Sequence, residues 1–376
     1  MRDFIEMLGF VEAGDGRQQS KVRHRLKDIL VIVLFATFAN ADDWVEIAMF
    51  AKIHEAYLRQ YIRLENGVPS HDTIQRAMAM IDPGVLQQLQ LRFQEMMNQG
   101  EGEKLKRIIA IDGKTMRGNT QGDIPPSHII SAWCKEDGIC IGQEAVSEKS
   151  NEITAIPQLL ARIQIKGQIV TIDAMGTQSK IAKQIRRKNA DYVLALKANH
   201  HNLHSDVREY FADEEFQKKA RDTDGYKKTT EKAHGQIETR EYYQTDDIQW
   251  IDNRADWQGL KTIGMERKTI RKKDETQSIE CRYFISSLPV DIETFSRAVR
   301  GHWSVESMHW HLDVTFREDA NHTIDKNSAQ NLNIIRKFCL SVLKVVDIVQ
   351  EKLSMKKKRF LLGQAVERFL DRVLNF

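Results

Sequence analysis

Apolar and polar residues follow one rhythm over the first hundred positions and another beyond them. From Leu26 to Phe38 the chain is apolar nearly all round, the pattern of a helix at the centre of a bundle. The longest apolar run, Ile29 to Ala41, is too short to span a bilayer, so a buried helix is expected. Asp42 and Asp43 stand where a helix start wants a capping carboxylate, ahead of Trp44, Ile47, Ala48 and Phe50 at helical spacing. Asn66-Gly67 marks a turn, Pro69-Ser70 a start, and a helix is expected from about His71. Its early face carries Thr73, Gln75 and Arg76, which would suit a DNA-reading helix. Its other face carries Ile74, Ala77 and Met78, which would suit an ordinary bundle helix, and the pattern leaves both open. The polar, glycine-containing stretch Asn98–Arg107 is the best boundary. Residues 1–98 therefore read as an all-helical domain whose removal would leave the remainder folded.

After that boundary strands alternate with helices. Ile108–Ile111 reads as a buried strand that stops at Asp112 and turns through Gly113. "HIISAWC" and "ICIGQEAV" read as a hairpin joined by Lys135–Gly138. "ITAIPQLLARI" is helical, "GQIVTIDAMG" is a second buried strand ending in Asp173, "TQSKIAKQIRRK" is an amphipathic helix, and "DYVLALKAN" is another strand. Strands mixed with helices argue for an α/β layer architecture with both faces of the sheet covered. Residues 200–289 open helical and become strand-like through "ETREYYQ", "KTIGMERKTIRK" and "CRYFISSL", a mostly β insertion with charged outer faces. Two strong helical patterns follow, "IETFSRAVRGHWSVESMHWHLDV" and "NSAQNLNIIRKFCLSVLKVV". The expected core thus comprises residues 105–199 and 290–350, with a helical tail at 351–376.

Composition narrows the classes. A chain of 376 residues fits about two or three domains, and its 41% hydrophobic content excludes wholesale disorder. Fifty-six basic and 53 acidic residues leave a net charge of only +3, but the cations cluster in KVRHR, KLKR, KQIRRK, RKTIRKK and KKKR. Such clusters are solvated faces by default and phosphate-tracking faces in a nucleic-acid binder. Cys134, Cys140, Cys281 and Cys339 form no CxxC or Cys/His pattern, so a zinc site is not expected and four reduced thiols are. No signal peptide is evident, and a cytoplasmic location without membrane attachment is expected.

The candidate chemistry lies in acids. Asp112 and Asp173 each follow an apolar run of β-favouring residues, and each has a glycine within three positions. On neighbouring strands they would meet at one sheet edge, where paired carboxylates need a cation between them or a shared proton. Hard oxygen donors in an open site favour Mg²⁺ or Mn²⁺. A third acid, Glu306, lies on the helical stretch "RGHWSVESMHWHLD", with His309, Trp310 and Asp313 on its face and His302 and Trp303 one turn earlier. That stripe is either a surface with two tryptophans or a metal-binding Glu flanked by groups that grip phosphate or stack a base. Lys114, Arg117 and Lys197 lie just past the core strands, where they would reach phosphates. Arg300, six residues before Glu306, joins His302, Trp303 and His309 to complete the candidate DNA contacts.

These strings together resemble the ISAs1-type transposases, the group that includes the H-repeat-associated proteins of enteric bacteria. The resemblance covers essentially the whole chain. It rests on "HRLKDIL", "NGVPSHDTI", "IAIDGKTMRG", "SNEITAIPQLL", "TIDAMGTQ", "YVLALKAN", "HGQIETRE", "RYFISSL" and "HWSVESMHWHLDVTFRED". It implies a ribonuclease H-like core with a DDE triad, in which Asp112, Asp173 and Glu306 are the catalytic, metal-binding residues. Two Mg²⁺ or Mn²⁺ ions per site, no organic cofactor, double-stranded DNA as partner and a homodimer assembled on DNA follow from the same resemblance. In the broader IS4-like group an Arg lies four residues before the Glu and a Lys seven after it; here those positions are His302 and Asp313. A metal-dependent nuclease of the same fold, or an inactive DNA-binding relative, would carry the same residues.

Overall fold

A single nine-stranded sheet organises the described residues of the computed structural model, which are 2–98, 106–122, 124–147, 151–233 and 235–374. Most of the boundary stretch Asn98–Arg107 lies outside them. The strands are β1 (Ile108–Thr115), β2 (His128–Cys134), β3 (Ile139–Val146), β4 (Ile169–Ile172), β5 (Asp191–Leu196), β6 (Tyr226–Ala233), β7 (Gln236–Thr245), β8 (Thr262–Arg271) and β9 (Gln277–Ser286). Their spatial order is β3-β2-β1-β4-β5-β9-β8-β7-β6.

The apolar runs explain the centre. Every residue of β4 is buried, as are Ile108 to Ile111 in β1, so these strands are covered on both faces. The helix Glu152–Arg162 carries the chain from β3 to β4, which lies parallel to β1 with Ile111 opposite Ile172. The helix Ser179–Arg187 carries it from β4 to β5, again parallel. Such crossovers are what parallel pairing requires.

Two sequence expectations change here. β1 does not stop at Asp112: it runs through Gly113 and Lys114 to Thr115, because β2 continues to pair with it, Asp112 opposite Ser131 and Gly113 opposite Ile130. The β-rich segment also extends the core sheet, since β9 pairs antiparallel with β5, Val193 opposite Ser286. Without β9, β5 would present an apolar edge. β6 was not anticipated; its sequence YKKTTEKA alternates no apolar face and is held by pairing with β7.

The helices are labelled α1 (Leu26–Phe38), α2 (Trp44–Ile53), α3 (His71–Met80), α4 (Glu152–Arg162), α5 (Ser179–Arg187), α6 (Ile292–His302), α7 (Ser304–Trp310), α8 (Lys326–Val345) and α9 (Met355–Gln364). α1 spans the apolar run that predicts it, and α2 and α3 start where the pattern predicts. Asp43 caps α2 by accepting the Glu46 N–H, and Ser70 caps α3 by accepting the Thr73 N–H. α3 buries Ile74, Ala77 and Met78, and its last turn is tied to α8: the Asn331 amide donates to the carbonyls of Met78 and Ile81 at 2.7 and 2.8 Å. One hydrophobic core runs from α1 through Phe338 and Leu340 of α8 to Ile109 and Ile141 of the sheet. Among the described residues no helix is long and apolar enough to cross a membrane.

Candidate active site

Parallel pairing of β1 and β4 does the first part of the assembly. Asp112 and Asp173 each follow one member of the Ile111–Ile172 pair, so the register delivers both acids to the same end of adjacent strands. β4 stops at Ile172, and Asp173 opens a turn in which its Oδ1 accepts the Gly176 N–H at 3.2 Å. The third acid arrives on a helix. α6 crosses β1 closely because Gly301 has no side chain there: a Cβ would sit 2.9 Å from Ile108 Cδ1 and 3.0 Å from Lys135 Cδ. His302, at the end of α6, contacts Thr171 Oγ1 of β4 through Nδ1 at 3.1 Å. The helical path is redrawn at Trp303, and α7 then presents Glu306.

Asp112, Asp173 and Glu306 line one cavity of about 310 Å³. Its other walls include Lys197, His302, Trp303, Arg282 and Tyr283. The Arg282 guanidinium lies over the Trp303 ring, 4.2 Å from its centroid. The cavity is electrostatically unfavourable for an acid left alone. Burial pushes the Asp112 carboxyl up to about 7, against the Gly113 N–H that it accepts, and the negative charges of Asp173, Glu152 and Glu306 add to the rise. Burial and the neighbouring Arg282 lower His302 to about 4, so its imidazole is neutral at pH 7.

Two family models match the chain. Residues 9–94 match the region described as DDE_Tnp_1-associated, and residues 103–343 match the transposase DDE domain. The chain belongs to the DDE transposases. It is 37% identical to YncI of Escherichia coli O157:H7, provisionally named a transposase, over 93% of this chain and 90% of YncI. It is 36% identical to YhhI of Escherichia coli K12, provisionally named an H repeat-associated transposase, over 92% of each chain. The protein is therefore an insertion-sequence transposase, a DNA-cleaving enzyme of a family that works with divalent metal ions.

The transposase meets such an ion in kind and in charge rather than as a preformed cage. Among the described residues no three His, Cys, Asp or Glu side chains converge closely enough to hold one metal. The acids facing the cavity offer only carboxylate oxygens, the donors that Mg²⁺ and Mn²⁺ prefer. Burial raises Asp112 most, and the neighbouring acids add a repulsion that a cation would relieve.

The remaining candidates of this transposase separate into different surroundings. Lys197 is exposed on the cavity wall, and Trp303 and His302 line it. His309 packs beside Asp112, its Nδ1 3.7 Å from Oδ2, with a buried Nε2 that has no partner. Burial and the nearby Lys337 and Lys114 lower His309 to about 3, so this is a neutral imidazole against a carboxyl and not an ion pair. Lys114, expected to reach phosphates, is largely buried among Asp313, Glu318 and Asp319 at 2.7, 3.1 and 3.2 Å. Burial works against its charge, yet Glu318, Asp313 and Asp319 hold it above its ordinary value. The alternation of β1 sends Lys114 to the same face as Asp112, towards the turn after α7, and those acids receive it. Arg117 is exposed, its backbone N–H donating to Asp319 Oδ1 at 3.2 Å. Arg300 leaves the other side of α6 and pairs with Glu231 at 3.2 Å, beside a separate cleft lined by Lys135, Lys227 and Arg297. Sequence reasoning missed Arg282; its only signal was a cation inside the strand-like "CRYFISSL".

Proposed function

We propose that this transposase cuts DNA at the ends of its element and joins them to target DNA at one centre built from Asp112, Asp173 and Glu306, within a ribonuclease H-like core. The supporting observation is that these carboxylates, from β1, the end of β4 and α7, face one cavity. They would hold two Mg²⁺ or Mn²⁺ ions, which supply activation of the attacking water or 3′-hydroxyl and stabilisation of the leaving oxygen.

The chain's own groups position the substrate and the acids. Lys197 offers an unburied ammonium at the cavity wall for a phosphate, and the Trp303 face, already carrying Arg282, offers a stacking surface. His302, neutral, ties α6 to Thr171 and thereby fixes the approach of Glu306. His309, also neutral, packs against Asp112 without competing for its charge. Arg117 and Arg300 extend the phosphate contacts beyond the cavity. The helical residues 1–98 bind the element ends, two copies pair on DNA so that both ends are held together, and the protein works in the cytoplasm on the nucleoid.

Cleavage of an end-bearing duplex and joining of pre-cut ends, each with Mg²⁺, test this reading. Asp112→Asn should abolish both while DNA binding persists. A variant that still cuts would remove Asp112 from the centre. Hydrolysis by the wild type without joining would assign a nuclease instead.

A further inference from the structure

The cationic string RKTIRKK, Arg267 to Lys273, lies in the β-rich insertion and has no part in the centre described above. Strand alternation divides its β8 residues between the two faces of the β6–β9 sheet. On one face the charges settle one another. Arg240 pairs with Glu238 and Glu266 at 2.5 and 2.6 Å, Lys268 with Glu238 at 3.1 Å, and Arg282 with Glu280 at 2.8 Å. The other face is built differently. Lys228 of β6 and Arg267 of β8 share one cross-strand row, Lys232 and Arg271 share another four residues along, and Thr230, Thr239 and Thr269 stand in the row between. Glu241 is the acid in these rows, and it is already engaged by the Tyr226 hydroxyl at 2.9 Å and by Arg221 at 3.8 Å. Among the described residues none of the four cations has an ion-pair partner. Lys228, Lys232 and Arg271 are exposed and Arg267 is half-buried. The helix His201–Ala212 covers the base of this face, where Phe211 stacks on Tyr283, and the cationic rows lie beyond it.

Register places this face beside the three acids. β5 runs parallel to β4 and ends at Leu196, at the same edge as Asp173. β9 pairs with β5 only from Ser286 to Tyr283, but pairs with β8 on to Gln277. Residues 277–282 therefore project past that edge by about 20 Å, at roughly 3.3 Å per residue. Cys281, in the same row as Arg267, lines the cavity that Asp112, Asp173 and Glu306 face, so the cationic face begins at the cavity wall.

We propose that this face is a further DNA surface, on which Lys228, Lys232, Arg267 and Arg271 hold the phosphates of the duplex where it leaves the cavity. The proposal rests on the reading that the cavity admits DNA. The two cationic rows are about 13 Å apart, close to the roughly 12 Å across a major groove. Each row can then meet one rim, with the threonine row over the groove. The opposite face offers a phosphate nothing without breaking its own ion pairs.

Fluorescence anisotropy of a duplex DNA oligonucleotide with the full-length protein in EDTA, over a range of NaCl, tests this. Each phosphate contact adds about 0.9 to the steepness of log K against log[salt], so Lys228→Gln, Lys232→Gln, Arg267→Gln and Arg271→Gln together should lower it by about 3–4. Exchange of Lys for Arg and Arg for Lys at the same four positions should keep it near wild type. Saturating DNA should also slow alkylation of Cys281 several-fold; Cys281 is exposed, whereas Cys134, Cys140 and Cys339 are buried. A wild-type slope in the Gln variant, an equal loss in the charge-keeping variant, or unchanged alkylation of Cys281 would overturn the proposal. Cutting by Asp112→Asn would overturn the metal centre and leave the salt slope untouched, so the two readings fail separately.

Discussion

At the scale of single residues, Lys114 shows how a cation beside a proposed catalytic carboxylate acquires a structural duty. Glu318 is fully buried, and its charge is met by Lys114, the Asn333 amide at 2.7 Å and Arg336. Lys114→Met should leave that carboxylate short of a partner and cost about 3–5 kcal/mol, read by urea unfolding. A lysine that served DNA alone would leave the unfolding midpoint in place and shift only the salt dependence of binding. Asp112 makes a pH prediction of its own. An unfolded aspartate ionises at about 3.9, whereas the folded carboxyl holds its proton to about 7. Between those values the folded state binds the extra proton, so metal-free stability falls as pH rises through that window and then levels off. Asp112→Asn should therefore melt higher than wild type at pH 8 in EDTA and alike at pH 3, by calorimetry. Equal melting at pH 8 would contradict the burial that raises Asp112. Each of the three acids that line the cavity stands out in the chain as a candidate, because an isolated carboxylate after an apolar run, or on a helix with His and Trp, breaks a local pattern. The partners of Lys114 were not visible, since they lie some two hundred residues further on.

Among elements, α6 is the one on which Glu306 depends, and it rests on more of the sheet than its own core strands. Phe295 of α6 is fully buried and packs on Phe284 of β9, ring centroids 5.8 Å apart. Gly264 of β8 makes room for the same ring; a Cβ there would collide with it. The β-rich insertion is thus a floor for α6, the helix that leads into α7 and Glu306. Gly264→Val should displace Phe295, cost about 1–3 kcal/mol in urea unfolding, and lower DNA cleavage by tilting α6. Unchanged cleavage in the variant would separate the insertion from the centre. The sequence showed three of the insertion's four strands, because their period of two is local. That β9 joins β5 was hidden, because strand pairing is a choice among partners that share the same pattern.

For the whole molecule, α8 is the common support. Its central residues, Asn331 to Leu343, are buried without a break. Phe338 meets Phe4 at 5.9 Å, Phe38 at 6.4 Å and Phe93 at 5.7 Å between ring centroids. The tail closes the same junction: Arg359 of α9 donates to Asp42 Oδ1 at 2.6 Å and to the carbonyls of Thr37 and Thr315. Removal of residues 1–98 should therefore expose the apolar flank of α8 and yield an aggregated chain without a cooperative melt by circular dichroism. A soluble, cooperatively melting fragment would restore the separable helical domain that the polar boundary implies. Apolar periodicity and caps were enough to place α1, α2, α3, β4 and β5 and to single out Asp112, Asp173 and Glu306, because helix and strand formation answer to neighbours a few residues away. Packing assigned the rest: that Asp112 sits within β1 and not at its end, that Lys114 faces acids, and that residues 1–98 share the core of α8. Those outcomes turn on groups brought together from distant parts of the chain, where burial and charge, not local pattern, choose the partner.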